Sequence, residues 1–566
     1  MRIDNYYIKR HAAFFLIISI ALAASMPYLS SIHNPFIWDE EVIIAGNPII
    51  KELRHLPYLF NTNIFGSGLK PGSYYRPVYM LSFMLDYHIW KLNPEGYHVS
   101  NIFFHALSAL AFYALMLRIG LNKKAAWVAS LLFALFPVNC ESVTLIAARV
   151  EPMVSLFCLL CFLTYLKSVT GSRNWFFASV CLFILAIMTK ENALVMPFII
   201  LAYVLIFLKG QKRKKAIFSL SGLVVLGLIY STLRLLFIGN PQSATLSLIN
   251  EASFVQRLYT FPVILLTYIR LIVFPLSLRS EYLFVARNIN DPYVWLSALL
   301  VILLSVVLVK SLRPRKLALF FLSWFFLGTL PYCNIIIPLH ATAMEHWAYL
   351  PSMGFAAMLS LTFFNLRERF DFIWVRRVMI VILMLLMLFY AVRITMRNRE
   401  WRDPFTLYKN DSGREPDSFL LHCNLGVEYF RKGMMSEAKR EFMASNNVSP
   451  GRMGYDVAYN NLGVIYAREG AIQEATRCYK TSIALNNYAL AYANLGGLYN
   501  NLQMHKDAIS LLEEGTGMYP LDVEIKYQLG IAYYRSGNIE YARKTFEAVE
   551  KIQPDYSQAR SFLSNM

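Results

Sequence analysis

The stretch at residues 378–395, VMIVILMLLMLFYAVRIT, contains a single charged residue, Arg393, among 18 positions. An apolar run of this length is what a helix needs to cross the hydrocarbon core of a bilayer. Similar runs recur through the first 396 residues of the 566-residue chain, in which apolar types make up 57% and charged types 16%. This composition, with a mean hydropathy of +0.42, excludes a wholly soluble globular protein and a disordered one.

The apolar runs predict a polytopic bundle of about 11–12 transmembrane helices. Segment 258–276 is a doubtful twelfth, because it carries Arg270 and Pro275. The first run is interpreted as a retained span, since no convincing small-residue cleavage site follows it. The candidate spans lie near 11–30, 97–117, 125–138, 153–166, 174–188, 192–208, 216–238, 293–309, 317–337, 347–365 and 378–395.

The net charge of +18 reflects basic residues that lie between apolar runs rather than along one face. That pattern is typical of membrane-flanking charge and argues against a nucleic-acid partner. With the N-terminus inside, the N-terminal stretch and the inner loops hold 21 Lys or Arg and only three acidic residues, with the clearest basic cluster at 212–215. The positive-inside rule then makes 258–276 interfacial or re-entrant, and eleven crossings place the C-terminal domain outside.

Four Leu-Gly pairs, spaced 33–37 residues apart, organise the C-terminal part of the chain; their glycines are Gly426, Gly463, Gly496 and Gly530. Three residues after each glycine comes Tyr, and twelve residues after it comes Ala. This is the tetratricopeptide-repeat pattern, in which small residues let two helices of a hairpin approach closely. The sequence therefore predicts an all-α protein with a membrane domain at 1–396, a basic juxtamembrane linker at 397–417, and an α-solenoid of four repeats plus a partial closing helix at 418–566.

Repeat arrays of this kind commonly bind peptides or proteins along one face. Candidates to line that face are Tyr459, Asn460, Tyr492 and Asn494. The alternative is that the tyrosines fill the core between the helices of each hairpin.

The first external loop, 31–96, is long and polar and holds candidate chemistry. A carboxylate just past the first span, Asp39 or Glu40, can accept a proton from a hydroxyl nucleophile. Arg76 can bind phosphate oxygens through its planar guanidinium. The alternatives are a solvated loop acid or helix cap for Asp39, and an interfacial anchor for Arg76.

Further polar residues reach the same predicted membrane face. His98, Asn101 and His105 share one side of a helix, which favours hydrogen bonding within the bundle over metal binding, and we predict no metal site. Glu141 and Arg149 are near enough in sequence to pair with each other. The remaining members of this polar cluster are Tyr75, Lys190, Glu191, Glu281, Glu345 and His346.

In their order along the chain, these motifs resemble the transmembrane and tetratricopeptide-repeat O-mannosyltransferases and their bacterial homologues, within the GT-C glycosyltransferases. The resemblance rests on short stretches and on the repeats. Phe136 and His346 depart from the family pattern, in which histidine and arginine are usual. The matching stretches are Trp38-Asp39-Glu40, Tyr75-Arg76-Pro77, Asn93-Pro94-x-Gly96-Tyr97-His98 through to His105, Leu135-Phe136-Pro137-Val138 leading to Glu141, Lys190-Glu191, and Glu345 to Pro351.

The resemblance implies a polyprenyl-phosphate-linked sugar, mannose-like, as donor and a protein hydroxyl as acceptor. It also implies Asp39 as the base, with Glu40 as the alternative, and Arg76 at the donor phosphate, with Arg149 and Lys190 as weaker candidates. No cofactor is firmly expected, although a divalent cation is compatible with the chemistry. The repeats would bind the acceptor or a partner, on the external or lumenal face.

A competing interpretation is a non-enzymatic scaffold, in which the membrane part only anchors a repeat array that organises an envelope or secretion complex. In either case we expect an integral membrane protein in contact with lipid. A bacterial inner membrane with periplasmic repeats is favoured, with an endoplasmic-reticulum membrane and lumenal repeats as the eukaryotic equivalent.

Overall fold

The computed structural model describes residues 2–64, 74–238, 248–448, 456–554 and 556–565, with side chains from residue 14 onward. The described secondary structure is helical, apart from an isolated antiparallel bridge between Tyr282 and Ala343. Contacts divide the chain into two compact units, one ending at Leu407 and the other beginning at Tyr408. The prediction of an all-α fold is confirmed.

The first unit contains fifteen α-helices in the described residues. They are α1 (Arg2–Ser25), α2 (Pro77–Trp90), α3 (Pro94–Ile119), α4 (Lys123–Leu135), α5 (Cys140–Thr144), α6 (Val150–Thr170), α7 (Asn174–Thr189), α8 (Met196–Phe207), α9 (Gly210–Phe237), α10 (Leu248–Glu251), α11 (Phe254–Val273), α12 (Pro292–Ser311), α13 (Arg315–Thr329), α14 (Tyr349–Arg369) and α15 (Ile373–Glu400). Short 3-10 turns join several of them, including Ile146–Arg149 before α6 and Glu191–Val195 before α8.

Eight helices of the described chain are long and apolar enough to cross a membrane, or nine if α4 and the bent Pro137–Thr144 segment form one span. Two shorter apolar helices, Asn174–Thr189 and Glu191–Phe207, and the 15-residue α13 account for the other predicted spans. The protein is therefore an integral membrane protein with the predicted polytopic bundle. The helical segments agree with nearly every predicted span to within a few residues; the span predicted at 317–337 is matched only by α13, which ends at Thr329.

The polar residues collect at one end of this bundle, where α3, α6 and α14 begin and α4 and α7 end, and we call this the polar end. Helix α11 passes the length and hydropathy test, yet both its ends contact this region. Thr260 accepts a hydrogen bond from the backbone N–H of Ala286 (3.0 Å), and Arg393 donates to the carbonyl of Pro275 just beyond α11 (2.9 Å). Residues 279–284 also lie beside Thr342–Glu345, and the interfacial or re-entrant position of 258–276 stays a prediction.

The stretch expected to be a linker, 397–417, begins inside the last membrane helix. Helix α15 continues to Glu400, and Arg397 is fully buried while it donates to Glu400 (2.6 Å). Asn398 is also buried and ties Cys140 and Thr144 to the end of the first helix. Another helix, α16 (Pro404–Arg414), follows at once. Most of this stretch is therefore helical, with Arg402 exposed in the turn between α15 and α16.

The second unit consists of four helical hairpins and a closing helix, as predicted from the repeats. Its helices are α17 (Phe419–Arg431), α18 (Met435–Val448), α19 (Asp456–Arg468), α20 (Ile472–Asn486), α21 (Ala489–Asn501), α22 (His505–Met518), α23 (Val523–Arg535), α24 (Ile539–Ile552) and α25 (Ser557–Ser564). The signature glycines lie where the two helices of each hairpin meet. A Cβ atom on Gly463 would come within 2.6 Å of the Tyr479 ring, and one on Gly496 within 2.5 Å of Leu512.

Replacing Gly463 with Leu should unfold the repeat unit, because the new side chain would overlap the Tyr479 ring. Overpacking typically costs about 1–3 kcal/mol, and more where backbones must separate. Limited proteolysis of the whole protein should then cut the repeats and leave a protected membrane fragment. Gly517→Ala is the matched control, since nothing lies within 4 Å of a Cβ atom there. A Gly463→Leu protein as protease-resistant as this control would contradict the close approach.

Candidate functional site

Asp39 and Glu40 are adjacent in sequence but lie in opposite environments. Trp38 before them has a φ of 59°, a left-handed conformation that non-glycine residues seldom adopt. Asp39 is exposed, whereas Glu40 is fully buried. Glu40 accepts hydrogen bonds from the backbone N–H groups of Ile37 (2.8 Å) and Ala147 (3.1 Å) through its two carboxylate oxygens. The structure thus leaves Asp39 open to a ligand and uses Glu40 to fasten the loop to the turn before α6.

Burial acts on the pKa of both carboxyl groups in this loop. It raises the pKa of Glu40 to about 8, against the opposing effect of its backbone hydrogen bonds. Desolvation also raises the pKa of Asp39 above its usual range, although the side chain itself retains solvent contact. A carboxylate with a raised pKa is a better proton acceptor than a free aspartate, provided that the pH is high enough to keep it ionised.

Arg76 lies at the start of α2 and forms an ion pair with Glu191. Its Nη2 atom donates to Glu191 Oε1 at 3.0 Å, and its guanidinium lies 5.0 Å from the centre of the Tyr74 ring. A second arginine, Arg234, approaches the other oxygen of Glu191 at 3.9 Å from the last turn of α9. Two guanidinium groups therefore share one carboxylate, which leaves an excess positive charge.

This arginine pair keeps unused donors. Tyr74 lies within electrostatic range of Asp39, Arg76, Glu191 and Arg234 together. Among the residues that the structure describes, Nε of Arg76 and Nη2 of Arg234 have no hydrogen-bond partner. Two cations that share one carboxylate and keep spare N–H groups form an arrangement that can bind an anion.

Lys190 binds side chains in a neighbouring, buried hydrogen-bond network. Its ammonium group contacts the Glu151 carboxylate and lies 5.2 Å from the centre of the Tyr332 ring. The Tyr332 hydroxyl donates toward the same carboxylate at 3.4 Å and accepts from Asn192 at 2.5 Å. Lys190 is thus neutralised at this position, and phosphate binding by Lys190 remains a prediction without geometric support.

Arg149 is fully enclosed at the polar end, with no exposed area. It pairs with Asp86 on α2 (2.5 Å), donates to Asn101 on α3 (2.6 Å) and donates to the backbone carbonyl of Tyr97 (2.9 Å). Its guanidinium also lies over the Phe83 ring at 4.7 Å. These contacts assign Arg149 to joining α2, α3 and the turn before α6, rather than to the pairing with Glu141 or to the donor phosphate.

Hydrogen bonds within the bundle, which the helical spacing favoured, are formed by His98, Asn101 and His105. His98 Nε2 lies 3.1 Å from the carbonyl of Asn34, and Asn101 donates to the carbonyls of Val143 and Leu145. His105 contacts the Tyr349 hydroxyl at 2.7 Å and the Ala134 carbonyl at 3.2 Å. In the described part of the chain, no group of three or more His, Cys, Asp or Glu side chains is placed to hold a metal ion.

The other acidic candidates lie around the start of α14. Glu141 accepts from the backbone N–H of His346 (3.1 Å) and lies 3.0 Å from that residue's ring. Glu345 is buried and accepts a hydrogen bond from the Tyr282 hydroxyl (3.1 Å). Glu281, which precedes Tyr282 in the sequence, is also buried. Tyr75 is half-buried next to Arg76. The polar cluster therefore gathers at one end of the bundle, where most members bind backbone groups or side chains of neighbouring segments.

The four candidate groove residues of the repeats lie on different faces of their helices. Tyr492 lies four residues before Gly496, hence on the helix face turned into its own hairpin, and is fully buried against Gly515. Tyr459 occupies the same register and is half-buried. Asn494 is part-exposed and donates to the buried Asn460 at 2.8 Å. The core position of Tyr492 corrects its assignment to a binding groove.

Sequence reasoning missed Arg234, Asp86, Glu151 and Tyr332. Arg234 had a usable signal, because it interrupts an apolar run and ionisable groups in such runs tend to be functional. Tyr332 and Asp86 offered none, since their roles depend on which helices become neighbours.

Comparison with known proteins adds the family. Residues 96–234 match the family described as dolichyl-phosphate-mannose-protein mannosyltransferase, and residues 457–488 and 502–566 match tetratricopeptide repeats. The chain is similar to curated proteins named protein O-mannosyl-transferase. This confirms the family resemblance, and the matched mannosyltransferase segment ends on Arg234.

Two relatives illustrate the extent of the similarity. Protein O-mannosyl-transferase F38B6.6 of Caenorhabditis elegans is 26% identical over 449 residues, covering 77% of this chain and 63% of the relative. Human protein O-mannosyl-transferase TMTC3 is 24% identical, covering 78% of this chain and 52% of the relative. The chain thus spans about half to two thirds of these relatives. The solved repeat protein YrrB is 21% identical, with a TM-score of 0.25, over 30% of this chain and 87% of its own.

Arg149→Met should destabilise the membrane domain, because it leaves the buried Asp86 carboxylate without its cation. Removing one partner of a buried pair typically costs about 3–5 kcal/mol. Thermal unfolding in detergent, followed by tryptophan fluorescence, should show the loss, and Arg149→Lys should rescue it only in part. Arg173→Met, at an exposed arginine, is the control. Unchanged stability of Arg149→Met with impaired donor binding would instead make Arg149 a phosphate ligand.

Proposed function

We propose that the protein is a membrane glycosyltransferase that moves a mannose-like sugar from a polyprenyl-phosphate donor to a hydroxyl group of a protein. The observation that carries this proposal is the pair of Arg76 and Arg234, which share Glu191 at the polar end of the bundle and keep unused donors. Asp39, an exposed carboxyl of the first external loop, is the proposed base. The family names of the homologues support the reaction class.

In the proposed reaction, the acceptor hydroxyl oxygen attacks the anomeric carbon of the sugar. Asp39 takes the hydroxyl proton, the new carbon–oxygen bond forms, and the bond from the anomeric carbon to the phosphate oxygen breaks. The departing lipid phosphate keeps that electron pair. A base on the acceptor side and cations on the leaving group are the two groups that lower the barrier of such a displacement.

Arg76 and Arg234 are proposed to receive the charge of the departing phosphate. Their spare nitrogen atoms, Nε and Nη2, can donate to phosphate oxygens in addition to the contacts with Glu191. Glu191 keeps the two cations close together before the donor binds, which avoids the cost of assembling them during the reaction. Glu40 positions Asp39, its neighbour in the sequence, because the Glu40 carboxylate is held by the backbone N–H of Ala147.

A lipid-linked donor accounts for a site built at one end of a membrane bundle. The lipid chain stays in the bilayer while its phosphate reaches polar groups at the interface, so the donor never leaves the membrane. The proposed face is the external or lumenal one, and the repeats are proposed to hold the acceptor. We propose a bacterial inner membrane, or its endoplasmic-reticulum equivalent, as the location.

Asp39→Asn should abolish transfer while leaving thermal stability unchanged, because asparagine keeps the shape but cannot accept a proton. Loss of a general base typically costs about 10²–10⁴-fold in rate. Glu40→Gln should lower both the rate and the melting temperature, since glutamine offers one oxygen to two backbone N–H groups. Transfer of radiolabelled sugar from a polyprenyl-phosphate donor to membrane protein measures the rate, and circular dichroism measures the melting.

The pH profile gives an independent check on Asp39. Its raised pKa means that the wild-type rate should fall as the pH drops through that pKa, because the protonated carboxyl cannot act as a base. The acid limb should vanish from the residual activity of Asp39→Asn. Full activity of the Asp39→Asn, Glu40→Gln double variant would end the assignment of the base to either carboxyl group.

Arg76→Gln and Arg234→Gln should each weaken donor use by about 10–10³-fold, as removal of one charge-stabilising donor does elsewhere. The double variant should lose less than the product of the single losses, because the two residues share Glu191. Competition by polyprenyl phosphate without sugar would report phosphate binding directly. Arg313→Gln, at the opposite end of the bundle, is the control. Wild-type affinity for polyprenyl phosphate in the double variant would contradict the phosphate role.

A further inference from the structure

Two histidines contact the ring of Trp347 in the segment between α13 and α14. The ring centroid of His340 lies 5.4 Å from that of Trp347, and the ring centroid of His346 lies 5.8 Å from it. Trp347 itself is buried, at 3% exposure, whereas both imidazoles keep part of their surface open. One indole therefore brings together two part-exposed imidazoles, which we call the histidine pair.

One nitrogen of each imidazole already has a partner. Nε2 of His340 lies 2.9 Å from the sulfur of Met344, and Nδ1 of His346 lies 3.0 Å from a carboxylate oxygen of Glu141. The other oxygen of Glu141 accepts from the backbone N–H of His346 at 3.1 Å, so this carboxylate holds the main chain as well as the ring. Because thioether and carboxylate groups only accept hydrogen bonds, each neutral ring places its proton on the partnered nitrogen.

The second nitrogen of each ring is left as a hydrogen-bond acceptor. Nδ1 of His340 and Nε2 of His346 make no hydrogen bond with the residues that the structure describes, and neither atom is enclosed. Burial lowers the pKa of His340 to about 4, and the charges of Lys190 and Arg76 act in the same direction, so this ring is neutral at physiological pH. A neutral imidazole accepts through its unprotonated nitrogen. The histidine pair thus offers two acceptor nitrogens to a ligand.

A short chain of contacts links the histidine pair to the arginine pair at the same end of the bundle. Trp347 stacks on Tyr332, with ring centroids 5.3 Å apart and 8° between the ring planes. The centre of the Tyr332 ring lies 5.2 Å from the ammonium group of Lys190, and the next residue, Glu191, binds Arg76 at 3.0 Å. Both histidines also lie within electrostatic range of Lys190 and Arg76. A cationic subsite and a subsite of hydrogen-bond acceptors therefore lie close together.

We propose that the histidine pair binds hydroxyl groups of the sugar that the donor lipid carries, and so determines which sugar is transferred. An ionised phosphate has only acceptor oxygens, so it cannot donate to the two free nitrogens, whereas a sugar hydroxyl can. Two separate nitrogens match a polyol better than the single hydroxyl group of an acceptor side chain. A polyprenyl chain has no hydroxyl group, so the sugar is the part of the donor that this subsite fits.

This inference rests on the proposed function, because it assumes a sugar attached to a lipid phosphate. A site built to hydrogen-bond a hydroxyl group rejects an analogue that lacks it, since the polar groups of the site are then left unpaired. Epimeric sugars differ in where one hydroxyl group points, so the histidine pair can distinguish them without touching the phosphate. The arginine pair cannot, because every polyprenyl-phosphate sugar presents the same phosphate.

Equilibrium binding in nanodiscs tests the histidine pair separately from sugar transfer. The full-length protein is titrated with polyprenyl phosphate and with polyprenyl-phosphate mannose, glucose and galactose, and we expect the wild-type to bind one sugar-linked lipid most tightly. His340→Phe and His346→Phe should each reduce the preference for that lipid over polyprenyl phosphate by about 3–10-fold, as for one hydrogen bond. Phenylalanine keeps a planar ring against Trp347 but cannot accept a hydrogen bond, so binding of polyprenyl phosphate alone should be unchanged.

Three further variants assign any loss to the subsite. His33→Phe is the matched control, because His33 makes the same kind of pair with Glu95 at 2.8 Å but has a side chain that is 80% exposed. Arg76→Gln should weaken the binding of all four lipids alike, since it acts on the phosphate. His346→Gln, whose amide oxygen can accept, should recover part of the preference that His346→Phe loses.

An equal loss for sugar-linked and sugar-free lipids in His340→Phe and His346→Phe would overturn the sugar role, because it would show a structural role only. So would a preference that both variants retain, or a wild-type protein that binds all four lipids with the same affinity. A wild-type protein that binds none of the four lipids would instead contradict the proposed function.

Discussion

The buried ion pair between Arg149 and Asp86 determines where the site residues lie. Arg149 precedes α6, Asp86 lies on α2, and the same guanidinium binds Asn101 on α3. Arg76 begins α2, so the position of that helix sets the position of Arg76. Asn101 in turn holds the carbonyls of Val143 and Leu145, beside the backbone to which Glu40 is fastened. One enclosed guanidinium thereby relates Asp39 to Arg76.

The polar end illustrates how a membrane bundle tolerates many ionisable groups. Burying a single charge is expensive, and the cost falls only when a partner and further hydrogen bonds satisfy it. Arg149 with Asp86 and Lys190 with Glu151 meet that condition. Arg76 and Arg234 do not meet it fully, because they share the single carboxylate of Glu191. Such an unbalanced cluster is where an anionic ligand gains most from binding.

Periodic features were predictable from sequence and pairings were not. The four Leu-Gly copies fixed the hairpins, because each glycine must meet a bulky residue sixteen positions later, and apolar length located the spans. Sequence also brought Asp39, Arg76 and Glu191 to one end of the bundle. The sequence could not show that Arg149 would form an ion pair with Asp86. Nor could it show that Glu40 would bind a backbone N–H group while Asp39 remained exposed, since both outcomes depend on which helices become neighbours.

The chemistry proposed for the polar end recognises little of an acceptor protein beyond one hydroxyl group. A base such as Asp39 acts on the proton and the arginines act on the lipid phosphate, so neither distinguishes one protein from another. Selectivity must therefore come from binding elsewhere on the chain. In the proposed function, covalent attachment of the repeats to the membrane domain makes transfer to a bound acceptor intramolecular, which raises its effective concentration even when each contact is weak.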